Sequence, residues 1–588
     1  MLNGSKPKVL FCIGCGGDFG MGHLSRAGAL IEAGRGRFDP LICVLRGSQC
    51  GPIPQFGDCI RVSAPEDEDG IDLIVSDMRD TSRRLMARLS RIAPVVSLDD
   101  RGRGSRFAHV TVYTLPGEGG DPPNVYGREY MVLNPAIRKY AGHRKEPHDV
   151  DGPVLVSFGG SDPGNLSQYM VSVLNKIGIE PVVVRGPFYR NSPPSGKCRV
   201  VHAPDDFYDL LFRARVLITS FGITMYEAFY LGTPVVLFNH SKYHCRLSGN
   251  VDAPNLGYVG SPVPDIEDRL GAAINGGDIY ARARENLKHT DGLGADRVLE
   301  LIERALSGMR TRCLFSHGVA KAVVRKRSLS LMRCSRCGDL FLFELEEKKD
   351  IYTDAYFLEE YESQYGKTYE GDRENIRRFA LRRLDVIERI AGPGKKSLLD
   401  IGCALGFFLE SARERGWDTL GVEISPFASE WARSNLGLDV ITGGFLQADL
   451  PEEHFDVATL FFVSEHFKHV EKVIERVYRV LKKGGLLVMS LPNRGGADFR
   501  TDFSGWVERH PDDHYFDTNV RHLVRYLRGR GFKKKKIVAT GIHPERFFGR
   551  SRLGCSRVGE RKLFAPLYTV AAGILKVGDT FEYYGFKV

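Results

Sequence analysis

The sequence predicts an α/β protein of three parallel-sheet units with a small insert bearing cysteine and histidine. Three observations point there. Short apolar runs alternate with helical stretches along 588 residues, glycine-rich turns follow several of those runs, and the pattern breaks near residue 306. A chain of this length holds three to four domains. Hydrophobic residues at 43% and charged residues at 26% exclude disorder and fibrous repeats. A net charge of +9 is small for the length and argues against a nucleic-acid partner. The 65 glycines, about 11% of the chain against an average near 7%, are a surplus whose positions matter.

Taken in order, the runs at 8–13, 40–45, 72–76, 95–98 and 110–113 read as buried strands. After a Pro- and charge-rich stretch at 142–152 the pattern restarts at 154–158, 181–185, 216–219 and 234–239. Each set predicts a parallel sheet with helices on both faces, so residues 1–148 and 149–306 form two similar halves flanking a cleft. Residues 307–348 form the Cys/His insert. A helical lead-in at 349–394 follows, with Ile376, Phe379, Leu384 and Ile387 at helical spacing, and residues 395–588 form the third unit, opening on a strand at 397–401. The apolar run at 9–13 is too short for a signal-peptide core. Residues 563–575 are uncharged but contain Pro566, are too short to span a bilayer, and read as a core helix, with membrane-surface contact as the alternative. Twelve cysteines without dense pairing imply reduced thiols, and with no secretory signal the reading is cytoplasmic.

Three glycine-rich turns mark the first two units. GCGGDFGMGHLSR (14–26) opens a helix at His23, SFGGSDPGN (157–165) is followed by a helix with Pro163 early in it, and TSFGITMYE (219–227) opens a helix with Glu227 one turn inside. Glycine lets the backbone approach a ligand closely, and a helix N-terminus offers its N–H groups to an anion. Glu227 is spaced to accept ribose hydroxyls while the turn holds a diphosphate. His23 also reads as a capping histidine, and Cys12-x-x-Cys15 as packing at a strand end or as a redox pair.

The motifs GMGHLSR (20–26), SLDD (97–100), VSFGGSDPGN (156–165), FGITMYEAFYLGTPVV (221–236) and DGLGADRV (291–298) resemble the UDP-sugar hydrolases of pseudaminic-acid biosynthesis. More distantly they resemble glycosyltransferases of the GT-B type, with two Rossmann-like halves. The resemblance covers about half the chain. It implies that His23, beside Gly22, activates water, and that a nucleotide-sugar lies against Gly159, Gly160, Ser161, Gly222, Thr224 and Glu227. The chain departs from the family in having Tyr243 and His244 where the family carries Asn-Gln after the Gly-x-Pro strand, and the resemblance implies that these positions face the substrate.

In the third unit LLDIGCALGF (398–407) places Asp400 at a strand end before a turn with Gly402, Ala404 and Gly406, and TLGVEIS puts Glu423 about twenty residues on. A glycine turn and an acid at that distance suit a nucleoside whose ribose hydroxyls bind the acid. With FDVATLFFVSEHF (455–467) and KKGGLLVMSLPN (482–493), the order resembles class I methyltransferases dependent on S-adenosylmethionine (SAM), of the type acting on sugars. That resemblance implies SAM as cofactor, backbone contacts near Phe445 and Leu446, and a sugar or glycan acceptor. It also implies that Glu465 and His466 deprotonate that acceptor. His510, His514 and Tyr515 form a second polar group suited to it. In the insert, Cys334-x-x-Cys337 with Cys313-x3-His317 forms a zinc-type donor set, with Ser316 where related ribbons have a fourth cysteine. The aromatics Tyr352, Tyr356, Phe357, Tyr361 and Tyr365 line an acceptor groove or stack in a core. The combined expectation is a bifunctional enzyme of surface-glycan or nucleotide-sugar biosynthesis. Its alternative is a methyltransferase carrying a catalytically inactive nucleotide-sugar module.

Overall fold

A computed structural model describes residues 6–14, 22–46, 60–117, 119–143, 151–307, 313–346, 366, 368–394, 396–543 and 558–588. Gly20, Met21 and Cys15, and the aromatics from Tyr352 to Tyr365, lie outside these residues. The chain divides into two compact units, residues 1–308 with 321–330, and residues 309–320 with 331–588.

The first unit holds two parallel sheets of Rossmann-like order. In one, β1 (Lys8–Gly14) lies between β2 (Asp39–Arg46) and β4 (Leu73–Asp77), with β3 (Ile60–Arg61) outside β2. The order continues through β5 (Val95–Leu98), β6 (Val110–Tyr113) and β7 (Val125–Tyr126). Val9 pairs with Pro40 on one side and Leu73 on the other. Val9 to Ile13 are all at most 1% exposed, as a strand covered on both faces requires. The second sheet runs β10 (Arg199–His202), β9 (Val182–Arg185), β8 (Val154–Val156), β11 (Val216–Thr219), β12 (Val235–Asn239) and β13 (Asn255–Tyr258). In each sheet the chain order reverses beside the first strand, and such a reversal leaves a crevice at the carboxyl ends of the strands. The strands β3, β7, β10 and β13 carry weak patterns: β10 is mostly exposed, and β3 and β7 have two residues each.

In the second unit β16 (Leu340–Glu344) of the insert pairs antiparallel with β22 (Phe516–Asp517). Its main sheet contains, in chain order, β17 (Ser397–Ile401), β18 (Asp418–Glu423), β19 (Val440–Thr442), β20 (Phe455–Phe461), β21 (Leu481–Pro492), β23 (Phe532–Thr540) and β24 (Thr580–Lys587). In space these lie β19-β18-β17-β20-β21-β24-β23, with β24 antiparallel to both neighbours, which is the class I methyltransferase arrangement.

Two expectations fail. Pro163 is not in a helical first turn: the helix starts at Leu166, because the Asp162 carboxylate accepts the amides of Leu166 and Ser167 at 2.8 and 2.9 Å. The stretch 563–575 is no core helix either. It belongs to the helix Val558–Leu575, whose described apolar side chains are largely exposed, because only Ala572 among them finds a packing partner that buries it. No helix among the described residues is long and apolar enough to cross a membrane.

Candidate functional sites

In the first unit β1 leads to the helix Gly22–Ala33, which carries His23 and Arg26 into the crevice between β1 and β4. There they meet residues from the ends of three other strands. His23 Nδ1 lies 2.6 Å from Asp77 Oδ1, both buried. Arg26 binds Asp77 through Nε at 3.0 Å, pairs with Asp99, and donates to Thr114 Oγ1 at 3.1 Å. Asp99 also accepts the amides of Thr114 and Leu115, at 2.8 and 2.9 Å, and its backbone is left-handed at φ +51°. Two carboxylates around one buried guanidinium hold Arg26 protonated above its ordinary range, although burial opposes this. Burial also works against the charge of Asp77, but Arg26 and His23 outweigh it and keep the carboxyl below its ordinary pKa. Asp77 therefore orients His23, the arrangement by which a carboxylate fixes the tautomer of a general base. The SLDD motif gave a hint of Asp99; nothing local marked Asp77 or Thr114.

The second sheet of this unit supplies the facing wall. The helix Ile223–Leu231 starts without a side-chain cap at Gly222. A Cβ on Gly22 would lie 3.6 Å from Ile223 Cδ1, so two helix N-termini approach the same crevice. Thr224 sits in the first turn of that helix. Glu227 is buried and accepts a hydrogen bond from Tyr208 Oη at 2.9 Å, and burial pushes its carboxyl up to about 7. Gly159, Gly160 and Ser161 form the turn after β8. Gly159 is left-handed at φ +77°, and the Gly160 carbonyl accepts the amide of Phe188. The helix after that turn is capped by Asp162, so its N-terminus is less open to an anion than the one at Gly222. Tyr243 and His244 occupy the helix Lys242–Ser248. Arg79, two residues beyond Asp77, lies 5.7 Å over the Tyr243 ring, and burial beside Arg79 lowers His244 to about 4.

In the second unit the turn after β17 is held by two ties. Glu423, at the end of β18, accepts the Ala404 amide at 2.8 Å and the Ser425 amide at 2.9 Å, and burial raises its pKa. Asp400 accepts Thr459 Oγ1 at 2.6 Å and is pushed up to about 7 by burial. Gly402 has φ +73°, and a Cβ there would come within 2.5 Å of Val463, so the turn passes too close to the segment following β20 for a side chain. Gly406 caps the helix Phe407–Glu414 at φ +83°. A glycine cradle with a carboxylate at the next strand end fits a nucleoside. Phe445 is buried in the core under Arg476, which also donates to the carbonyl of Leu446 at 3.0 Å.

Two residues past Val463, Glu465 is buried and raised by burial, and His466 Nδ1 lies 3.1 Å from Asp513 Oδ2. Burial alone would lower His466; Asp513 and Glu465 outweigh it and raise it. His510 Nε2 is 2.7 Å from Asp517, and the rings of His466 and His510 both stand edge-on to His514, at 4.8 and 5.6 Å. Tyr515 Oη donates to Glu344 of the insert at 2.7 Å. The structure thus brings Glu465, His466, His510, His514 and Tyr515 together and adds Asp513, Asp517 and Glu344, which carried no motif.

Donor atoms of Cys313, His317, Cys334 and Cys337 lie within 4.8 Å of one another. The amides of Arg336 and Cys337 point at Cys334 Sγ at 3.4 Å, and the amide of His317 at Cys313 Sγ at 3.3 Å. Amides directed at sulfur favour thiolates, the form that binds zinc.

Over residues 372–536 the chain matches the family model described as a methyltransferase domain. The ubiquinone biosynthesis O-methyltransferase of Pseudomonas entomophila is 35% identical over 114 residues, 18% of this chain and 48% of that protein. Its counterpart in Azoarcus sp. is 32% identical over 177 residues, 28% of this chain and 75% of that protein. The chain therefore spans about half of the first relative and three quarters of the second. A SAM-dependent methyltransferase from Archaeoglobus fulgidus aligns along its whole length to 40% of this chain, at 18% identity and a TM-score of 0.29.

Proposed function

The chain belongs to the SAM-dependent methyltransferases through its C-terminal domain, and from that premise we propose a bifunctional enzyme whose methyltransferase acts on a sugar or glycan acceptor. In this reading the first unit binds a UDP-linked sugar and cleaves or transfers it. The observation that carries the second activity is the His23–Asp77 pair at 2.6 Å, lying where two helix N-termini approach one crevice. The pair supplies an oriented base for water or an acceptor hydroxyl, and the helix ends suit the diphosphate.

Bound SAM supplies an electrophilic methyl group on a sulfonium. The turn from Gly402 to Gly406 and the Glu423 carboxylate hold the nucleoside, and Asp400 with Thr459 fixes the end of β17 beneath it. His466, with Nδ1 beside Asp513, takes a proton from the acceptor at Nε2, and the charges of Asp513 and Glu465 favour the resulting cation. His510, His514 and Tyr515 orient the acceptor. The four donors Cys313, His317, Cys334 and Cys337 would hold a structural zinc, and Glu344 of the same insert positions Tyr515.

The test follows free UDP from candidate UDP-sugars, with and without an acceptor. Release without an acceptor that vanishes in His23→Ala establishes hydrolysis, and acceptor-dependent release establishes transfer. Binding of the UDP-sugar without release leaves the first unit as a binding module and removes the bifunctional reading.

A further inference from the structure

The helix Val558–Leu575 leaves Leu567, Val570, Ile574 and Leu575 each between 62% and 71% exposed. They stand at i, i+3, i+7 and i+8, a single stripe of the helix, while Ala572 on the opposite side is buried. No charged residue occurs from 563 through 575. A contiguous aliphatic stripe of this kind marks an interaction surface.

The adjoining surface is basic. The helix Val520–Arg528 presents Arg521, Arg525 and Arg528 to a groove of about 630 Å³. From the other side β23 presents Lys534, Lys535 and Lys536, and Lys576, directly after the exposed helix, joins them. Consecutive lysines in a regular strand would alternate between faces. The register of β23 against β24 slips between Lys534 and Lys536, and this bulge lets all three line the groove. None of these seven cations forms an ion pair among the described residues.

We propose that this face docks on an anionic lipid bilayer. The aliphatic stripe enters the boundary between headgroups and acyl chains, and the groove receives phosphate-bearing headgroups. Charge complementarity selects an anionic partner. The stripe distinguishes a bilayer from a nucleic acid, which offers phosphates but no acyl phase. The helix lies on the surface, because it carries Pro566 and is too short an apolar segment to span. The proposal stands independently of the acceptor's identity.

The experiment sediments the full chain with vesicles of phosphatidylcholine alone and of phosphatidylcholine carrying phosphatidylglycerol. Binding to the anionic vesicles is expected at least about tenfold tighter, and weaker with added salt. Two variants, Lys534→Glu/Lys535→Glu/Lys536→Glu and Leu567→Asp/Ile574→Asp, should each reduce it about tenfold or more. Retained SAM binding in both shows that they fold. Equal binding to the two vesicle types, no binding to either, or indifference to the aspartate variant overturns the proposal. So does tighter binding to a duplex oligonucleotide than to anionic vesicles. If the lysines only protect an edge strand from pairing, neither vesicle type sediments the chain.

Discussion

Glu423 and Ala404 are joined by a hydrogen bond of 2.8 Å from the Ala404 amide to a buried carboxylate oxygen, while the other oxygen takes the amide of Ser425. One side chain thus fixes the turn after β17 against the end of β18, the two edges of the proposed SAM crevice. Glu423→Ala leaves both amides without this acceptor and removes the group spaced for the ribose hydroxyls. SAM affinity by calorimetry should fall at least about tenfold. Unchanged affinity would sink the assignment of the site.

Ala404 itself stands at φ +49°, a region that costs an L-residue about 1–2 kcal/mol. Ala404→Gly removes that strain but adds freedom to the unfolded chain, a cost of about 0.5–1 kcal/mol. The expected result is a net stabilisation of up to about 1.5 kcal/mol, read by denaturant unfolding, with SAM binding retained. A clear loss of stability would mean that the alanine methyl makes contacts worth more than its backbone strain.

Asp77 orients His23 and, in the proposed cleavage, acts only through it, so it is a positioning residue. Asp77→Asn can no longer support the cationic imidazole that forms when His23 takes a proton. UDP release should slow on the order of 100-fold, with the acidic limb of the pH profile displaced and KM little changed. A pure rise in KM would assign the pair to binding instead.

Glu227 gives the first unit a pH signature. Its carboxyl, raised by burial to about 7 when folded, ionises near 4.5 in the unfolded chain. Between those values the folded state holds more protons, so stability falls as pH rises from about 4.5 to about 7, by up to about 3 kcal/mol. Glu227→Gln keeps an acceptor for Tyr208 and removes this loss. The melting temperature should then drop less between pH 5 and pH 8 than it does in the parent protein. An unaltered pH dependence would contradict the buried, protonated carboxyl.

The Cys/His cluster predicts about one zinc per chain by elemental analysis, lost in Cys334→Ser. Chelation should lower the melting temperature of the parent protein and leave that of the variant unchanged. Equal metal content in the two proteins would refute the site.

The strand–turn–helix units were legible because their signals are local. A run such as Val9–Ile13 is apolar because it is covered on both faces, and Gly402 or Gly406 is required by a backbone angle that the neighbouring residues impose. Glu423 was legible too, since the distance between successive strand ends is set by one helix and one turn. The sequence by itself therefore determined the α/β class, the glycine turn after β17 and the grouping of the Cys/His donors, each defined within some twenty-five residues.

Tertiary structure decided the partners. Asp77 reaches His23 from 54 residues away and Asp513 reaches His466 from another segment, and no spacing rule links such pairs. Pairing across a sheet depends on which strands become neighbours, as does the placing of the antiparallel β24 between β21 and β23 in the second unit's main sheet. It also decided the fate of residues 563–575. An uncharged stretch is buried only if another element covers it, and composition carries no record of whether one does.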